Sequence, residues 1–290
     1  MLAIFKREFR SYFTGMMGPL LTAFLAVGGG LYFYALNLTN GLTDFGYYTL
    51  YRTIILFIFY VPVLTMRSFA EERKNRTDQL LLTSPVSVGG IVLGKFFAMC
   101  AVFALPCVLY AGMILVLWGL GAGAAAVGGA FACLLCYYLL GCAAIAIGEY
   151  ISSLTENQII AAVGSLAAIL AAYLMPSLQT LYSTGSTQAL VIFLVVLAAA
   201  AAAAGLRSKS FALGCGVFCA GTLVLGAAFM LRPAWLVTAF SAVLDALCLF
   251  VPFEDFVGLS FSVPALVYYL TAAALFLFLT AQGVEKRRWN

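Results

Sequence analysis

Apolar residues in this chain come in long uninterrupted runs, not in the alternation of a strand that buries one face. Runs near or above 20 residues match a hydrocarbon layer of about 30 Å crossed by a helix, and in that layer a helix satisfies its own backbone. The pattern predicts spans over residues 19–36, 47–66, 95–118, 126–148, 159–175, a sixth containing the alanine run 198–204, then 211–231 and 263–281. The class expected is therefore an all-α polytopic membrane protein of about eight transmembrane helices. The period-two pattern of a membrane barrel is absent.

Shorter features sit between the spans. In residues 1–14, Phe5, Phe9, Tyr12 and Phe13 recur at helical spacing opposite Lys6, Arg7 and Arg10, which predicts an amphipathic helix lying in the membrane interface. Polar loops are expected at 37–46 and 176–187, a Gly/Ala turn at 119–123 and a polar turn at 149–158. Residues 233–251 are apolar and nearly long enough to span, but they contain Asp245 and lead into Pro252, Glu254 and Asp255.

Charge placement decides that segment and the orientation. With the N-terminus inside and an even number of spans, Lys6, Arg7, Arg10, Arg67, Arg73, Lys74, Arg76, Lys95, Arg207, Lys209, Lys286, Arg287 and Arg288 all fall on the inner side. Arg52 and Arg232 fall outside. A further span at 233–251 would throw the C-terminal basic cluster outside, against the positive-inside tendency. Residues 233–258 are therefore expected to form an outer-side helix or re-entrant element, and both termini are expected to be cytoplasmic.

Composition agrees and removes several classes of function. Hydrophobic residues make up 64% and charged residues 9%, where a soluble domain carries roughly 25% charged. A net charge of +4, scattered along the chain, gives no nucleic-acid surface. The chain has no histidine, so imidazole is unavailable as base, relay or metal ligand. Its eight cysteines lie in apolar runs and read as small packing residues; Cys133 and Cys136 have CxxC spacing but no second pair. Residues 89–95 match the phosphate loop GxxxxGK, yet Phe96 stands where magnesium needs Ser or Thr and no strand precedes it. Lys95 is expected to snorkel to the membrane surface at the end of its span. Glu149 and Glu156, near the inner ends of two spans, are either ionisable groups with a partner or path at that depth or, the favoured reading, solvated in the turn. No catalytic, cofactor-binding or metal-binding residue is expected, and no cleavable signal is read at the N-terminus.

One polar segment stands apart. Residues 71–87 read EERKNRTDQLLLTSPVS and hold the densest run of interior charge, six charged residues. Asn75 or Thr77 can cap a short helix, Leu80, Leu81 and Leu82 give it an apolar edge, and Ser84-Pro85 ends it. Such leucines need either a partner surface or the lipid headgroups.

Here the chain resembles the ABC-2 family of transporter permeases, in particular its gliding-motility type. The likeness is carried by Phe69-Ala70-Glu71-Glu72-Arg73, Thr77, Leu80-Leu81-Leu82-Thr83-Ser84-Pro85-Val86-Ser87 and Gly94-Lys95-Phe96. Residues 152–158 (SSLTENQ), Tyr268-Tyr269-Leu270, Phe276-Leu277-Phe278-Leu279-Thr280 and Lys286-Arg287-Arg288-Trp289 add to it. The resemblance implies one permease domain over residues 1–290 in a bacterial cytoplasmic (inner) membrane. It implies that Glu71, Glu72, Arg73, Arg76, Thr77, Leu80, Leu81, Leu82, Thr83, Ser84 and Pro85 belong to a coupling helix seated on an ABC ATP-binding subunit. A second cytoplasmic contact falls at Ser153, Thr155, Glu156 and Asn157. ATP and magnesium are expected on the partner ATPase, none on this chain, and a second permease copy or paralogue is expected beside it. The family commonly has six spans, so residues 187–232 read as a two-helix insertion. The competing readings are a secondary transporter, for which few intramembrane polar coupling residues are visible, and a non-transporting scaffold.

Overall fold

The computed structural model of the chain describes residues 1–77, 87–182, 194, 197, 221–222, 238, 248–257 and 261–288. Among them, all regular structure is helical. We number the helices α1 (Leu2–Thr14), α2 (Met17–Leu38), α3 (Gly46–Lys74), α4 (Val88–Gly119), α5 (Ala124–Leu154), α6 (Gln158–Tyr182), α7 (Val251–Val257) and α8 (Val263–Arg288). Six of these, α2 to α6 and α8, are long and apolar enough to cross a membrane. The expected spans in 187–232, and most of the expected outer element 233–258, lie outside the described residues. So do Leu80, Leu81, Leu82, Thr83, Ser84 and Pro85.

The chain divides into two compact units, residues 1–173 with 249–290, and residues 174–248. In the first, α5 is the central helix and packs along α8, α4, α3 and α7; α1 and α2 pack on α4. Most of α3 and α5 is buried, whereas little of α2 and α8 is. Exposed Leu20, Phe24, Val27 and Leu31 recur along α2, an apolar outer surface suited to hydrocarbon as its neighbour. The interior is aromatic: the Phe57, Phe103 and Tyr137 rings lie 5.0–6.0 Å apart, and Tyr110 and Phe253 join Tyr137 edge-on. Cys133 and Cys136 are buried and unbridged, as packing residues should be.

Several helices run beyond the expected spans. α3 continues past Met66 through a turn to Lys74, because the charged residues there find partners inside the protein. α4 begins at Val88, not near Lys95; the Ser87 hydroxyl caps it by accepting from Gly90 N at 3.3 Å. The GxxxxGK stretch is therefore the opening of a helix. Its Gly94 leaves room for α1, since a Cβ there would lie 3.1 Å from Ile4 Cγ2 and 3.3 Å from Met1 O. α6 runs through Pro176 to Tyr182, where a loop was expected. A proline costs a membrane helix one local hydrogen bond, which need not end it. Asn37, placed by the pattern in a polar loop, is buried; it donates to Leu42 O at 2.6 Å and accepts from Thr49 Oγ1 at 2.7 Å. Pro252, Glu254 and Asp255 lie on α7, and Glu254 accepts from Tyr51 OH at 3.0 Å.

Candidate functional site: a buried charge cluster

At one end of the bundle, α1, the end of α3, the start of α4 and the end of α5 meet around Lys95. This lysine does not snorkel. Only 2% of it is exposed, and its ammonium lies 2.7 Å from Ser68 O, 3.0 Å from Glu72 Oε1 and 3.3 Å from Glu8 Oε1. The Phe69 ring covers it, centred 5.1 Å away. The ammonium donates to Ser68 O and Glu8 and is ion-paired with both carboxylates, the condition under which a desolvated charge is tolerated. Snorkelling serves a lysine that faces lipid; Lys95 faces α1 and the turn after Met66, and its partners come to it.

Arg7 closes the cluster from the outer side, donating to Glu8 Oε1 at 2.7 Å and Glu72 Oε1 at 2.8 Å. Partial burial opposes its charge, but the hydrogen bond and charge of Glu8, followed by those of Glu72, hold its pKa above the ordinary guanidinium value. Tyr12 lies one helical turn beyond Glu8 and donates to Leu64 O at 3.0 Å. Burial, reinforced by the Glu8 charge, pushes its pKa well above the usual phenol range, so the donor stays protonated.

The turn that carries Ser68 and Phe69 is itself pinned. Ser152 Oγ of α5 accepts from Phe69 N at 3.2 Å and Ala70 N at 3.3 Å, and donates to Met66 O at 3.4 Å. One turn earlier on α5, Gly148 admits Thr65 into contact with the helix backbone, where a Cβ would overlap the threonine side chain. Glu149, expected to be solvated, is fully buried, and neither carboxylate oxygen has a hydrogen-bond partner. Burial follows from this tight α3–α5 packing, which closes the helix end on which Glu149 sits.

The coupling residues inferred from the sequence divide accordingly. Glu71 holds Arg67 in a two-point pair, Oε2 to Nε at 2.6 Å and Oε1 to Nη2 at 2.8 Å. Glu72 is committed inward to Arg7 and Lys95, and Arg73 is buried. Arg76 is exposed with φ 57°, the left-handed turn by which the chain leaves α3, and Thr77 Oγ1 donates to Glu72 O at 3.2 Å. Of the second expected contact, Ser153 is buried and bonds Tyr150 O at 2.7 Å. Thr155, half-buried, and the exposed Glu156 and Asn157 form the turn before α6, with Asn157 Oδ1 capping α6 through Ile159 N at 2.9 Å.

Glu8 was missed by sequence reasoning. A signal existed: it is the acid of an otherwise basic helix and precedes Tyr12 by four residues, which places it on the inward face. Ser68 gave no signal, and Ser152 entered only through the resemblance at 152–158, because a serine in a helix end has no pattern that marks its partner.

No curated protein and no solved structure matches the chain. A family model described as "ABC-2 family transporter protein" matches residues 31–204, from the latter half of α2 through α6 and beyond. That stretch holds Glu72, Lys95 and Glu149, and more than half of the chain. The chain is thus a multi-pass membrane protein belonging to the ABC-2 transporter family, whose members are the membrane-spanning component and not the ATPase itself.

Proposed function

We propose that the chain is the permease subunit of an ATP-driven exporter of the gliding-motility type, with ATP and magnesium bound by a separate ABC subunit. Residues 71–87 form the coupling segment in this reading. Glu71, Glu72 and Arg73 fasten its root to the permease, Arg76 and Thr77 turn it outward, and Leu80, Leu81, Leu82, Thr83, Ser84 and Pro85 supply the face that seats on the ATPase. Ser153 braces the neighbouring turn, where Thr155, Glu156 and Asn157 offer a second contact. The protein sits in a bacterial inner membrane with about eight spans and both termini cytoplasmic. A second permease completes the pathway, and residues 1–14 lie along the inner interface.

The observation that carries this reading is the engagement of Glu72 by Lys95 and Arg7. A lever transmits force only if its root is held, and here the root is tied to α4 by the buried Lys95 and to α1 by the half-exposed Arg7. The test replaces Leu80 and Leu82 by Asp. Loss of co-purification with the ATP-binding subunit, with the permease still folded, supports the reading; retained association overturns it. Substrate-stimulated ATP hydrolysis in the reconstituted complex separates a transporter from a scaffold.

A further inference from the structure

Glu149 is not accounted for by the cluster as it stands. A fully buried carboxyl with no donor on either oxygen carries an unrecovered desolvation cost, and such groups persist in proteins where something else uses them. Glu149 lies within one turn of Ser152, which binds Phe69 N, and the Phe69 ring covers the Lys95 ammonium, so Glu149 and Lys95 approach the same turn. The lysine, however, already donates to Ser68 O and Glu8 and is ion-paired with Glu72. Near a buried cation already paired with two carboxylates the protein thus keeps a third.

The carboxylates differ in what carries them. Glu72 lies on the helical turn Ala70–Lys74 at the root of the segment 71–87, and Glu8 lies on α1. Glu149 lies on α5, the central helix, in the stretch locked to α3 by Gly148 and Ser152. A lysine stem lets its ammonium move without moving backbone.

We propose that Glu149 is the alternate acceptor for Lys95. When the Ala70–Lys74 turn moves and carries Glu72 with it, the ammonium turns to the Glu149 carboxylate, and the buried charge passes from one ion pair to another without standing alone. The inference rests on the reading of residues 71–87 as a segment that moves. An exchange of this kind makes the two positions of the segment discrete, since the lysine is fully paired at either end and not between.

A thermal-stability cycle on the full-length permease in detergent tests it. Glu149→Gln is compared in the wild-type background and in a Glu8→Gln/Glu72→Gln background, where Glu149 is the acidic partner left to Lys95. The proposal expects Glu149→Gln to leave the wild-type Tm unchanged or raised, and to lower the Tm of the double variant by a further ~3 °C. The same shift in both backgrounds overturns it. If the double variant does not accumulate, Glu72→Gln alone serves as the background and is read the same way. Adding Lys95→Met to every member should abolish the difference between backgrounds; a difference that survives also overturns the proposal. The cycle needs no ATPase, so its failure is distinct from a failure of the coupling reading, which the Leu80/Leu82 variants report by association.

Discussion

Glu71 and Glu72 are adjacent in the chain and opposite in commitment. Glu71 grips Arg67 on its own helix at an exposed rim, while Glu72 reaches 3.0 Å to the ammonium of Lys95, a residue with 2% exposure. An exposed i,i+4 pair is worth under about 1 kcal/mol and weakens with salt, whereas breaking a buried pair leaves a charge without compensation and costs about 3–5 kcal/mol. Glu71→Gln should leave the melting temperature within about 2 °C of wild type. Glu72→Gln should lower it more, though by less than the full cost, because Glu8, Ser68 O and the alternate acceptor Glu149 still hold the lysine. Melting the two purified variants side by side decides it; equal shifts would mean that Lys95 does not depend on Glu72.

Lys95 itself offers a second contrast. Lys95→Met keeps the packing of the stem under Phe69 and leaves Glu8 and Glu72 their shared Arg7, so folded protein should still accumulate. Lys95→Glu places a third carboxylate beside those two in a nearly dry site, and several kcal/mol of repulsion and desolvation, about 3–5, should prevent accumulation. The yield of monodisperse protein after detergent extraction reads the difference.

The α3–α5 contact predicts a compensation. A methyl group at Gly148 collides with the Thr65 side chain, so Gly148→Ala should destabilise by about 1–3 kcal/mol through overpacking. Thr65 Oγ1 bonds only its own helix, to Val61 O at 2.9 Å, so shortening it sacrifices no link between helices. Thr65→Ala should therefore restore much of the loss in the double variant, and additive losses would show that the two helices do not meet there.

The apolar runs made the helical class and the rough course of α2 to α6 and α8 legible, because hydrocarbon demands long apolar helices whatever their packing. The resemblance around Phe69-Ala70-Glu71-Glu72-Arg73 likewise pointed to the charged end of the bundle. What composition could not reveal was which way each charge turns. Lys95 looks like any lysine at a span end until Glu8 and Glu72, 87 and 23 positions away, converge on it. Glu149 differs from the exposed Glu156 by its tertiary surroundings alone. Helix ends escaped for a related reason: ion pairing lets α3 carry charges beyond its apolar run, and a proline need not stop α6.

The Tyr12 hydroxyl, finally, ties α1 to α3 through Leu64 O and gives a pH signature. Near neutrality Tyr12→Phe loses one buried hydrogen bond, about 1 kcal/mol, and leaves the Leu64 carbonyl without that donor. The folded-state pKa lies above the phenol value of about 10 in the unfolded chain. The stabilising contribution is therefore complete below pH 10 and is lost as pH rises, because the unfolded state releases a proton that the folded state keeps. Stability then falls by about 1.4 kcal/mol per pH unit relative to the phenylalanine variant, which has no such proton. The wild-type advantage should be constant up to about pH 9 and vanish within about one unit above pH 10. The other tyrosines titrate in both proteins and cancel in the difference. Melting curves of the pair across pH 7 to 11 check this; a difference that stayed flat would mean that the hydroxyl ionises as readily folded as unfolded, and that α1 is not seated against α3 at Leu64.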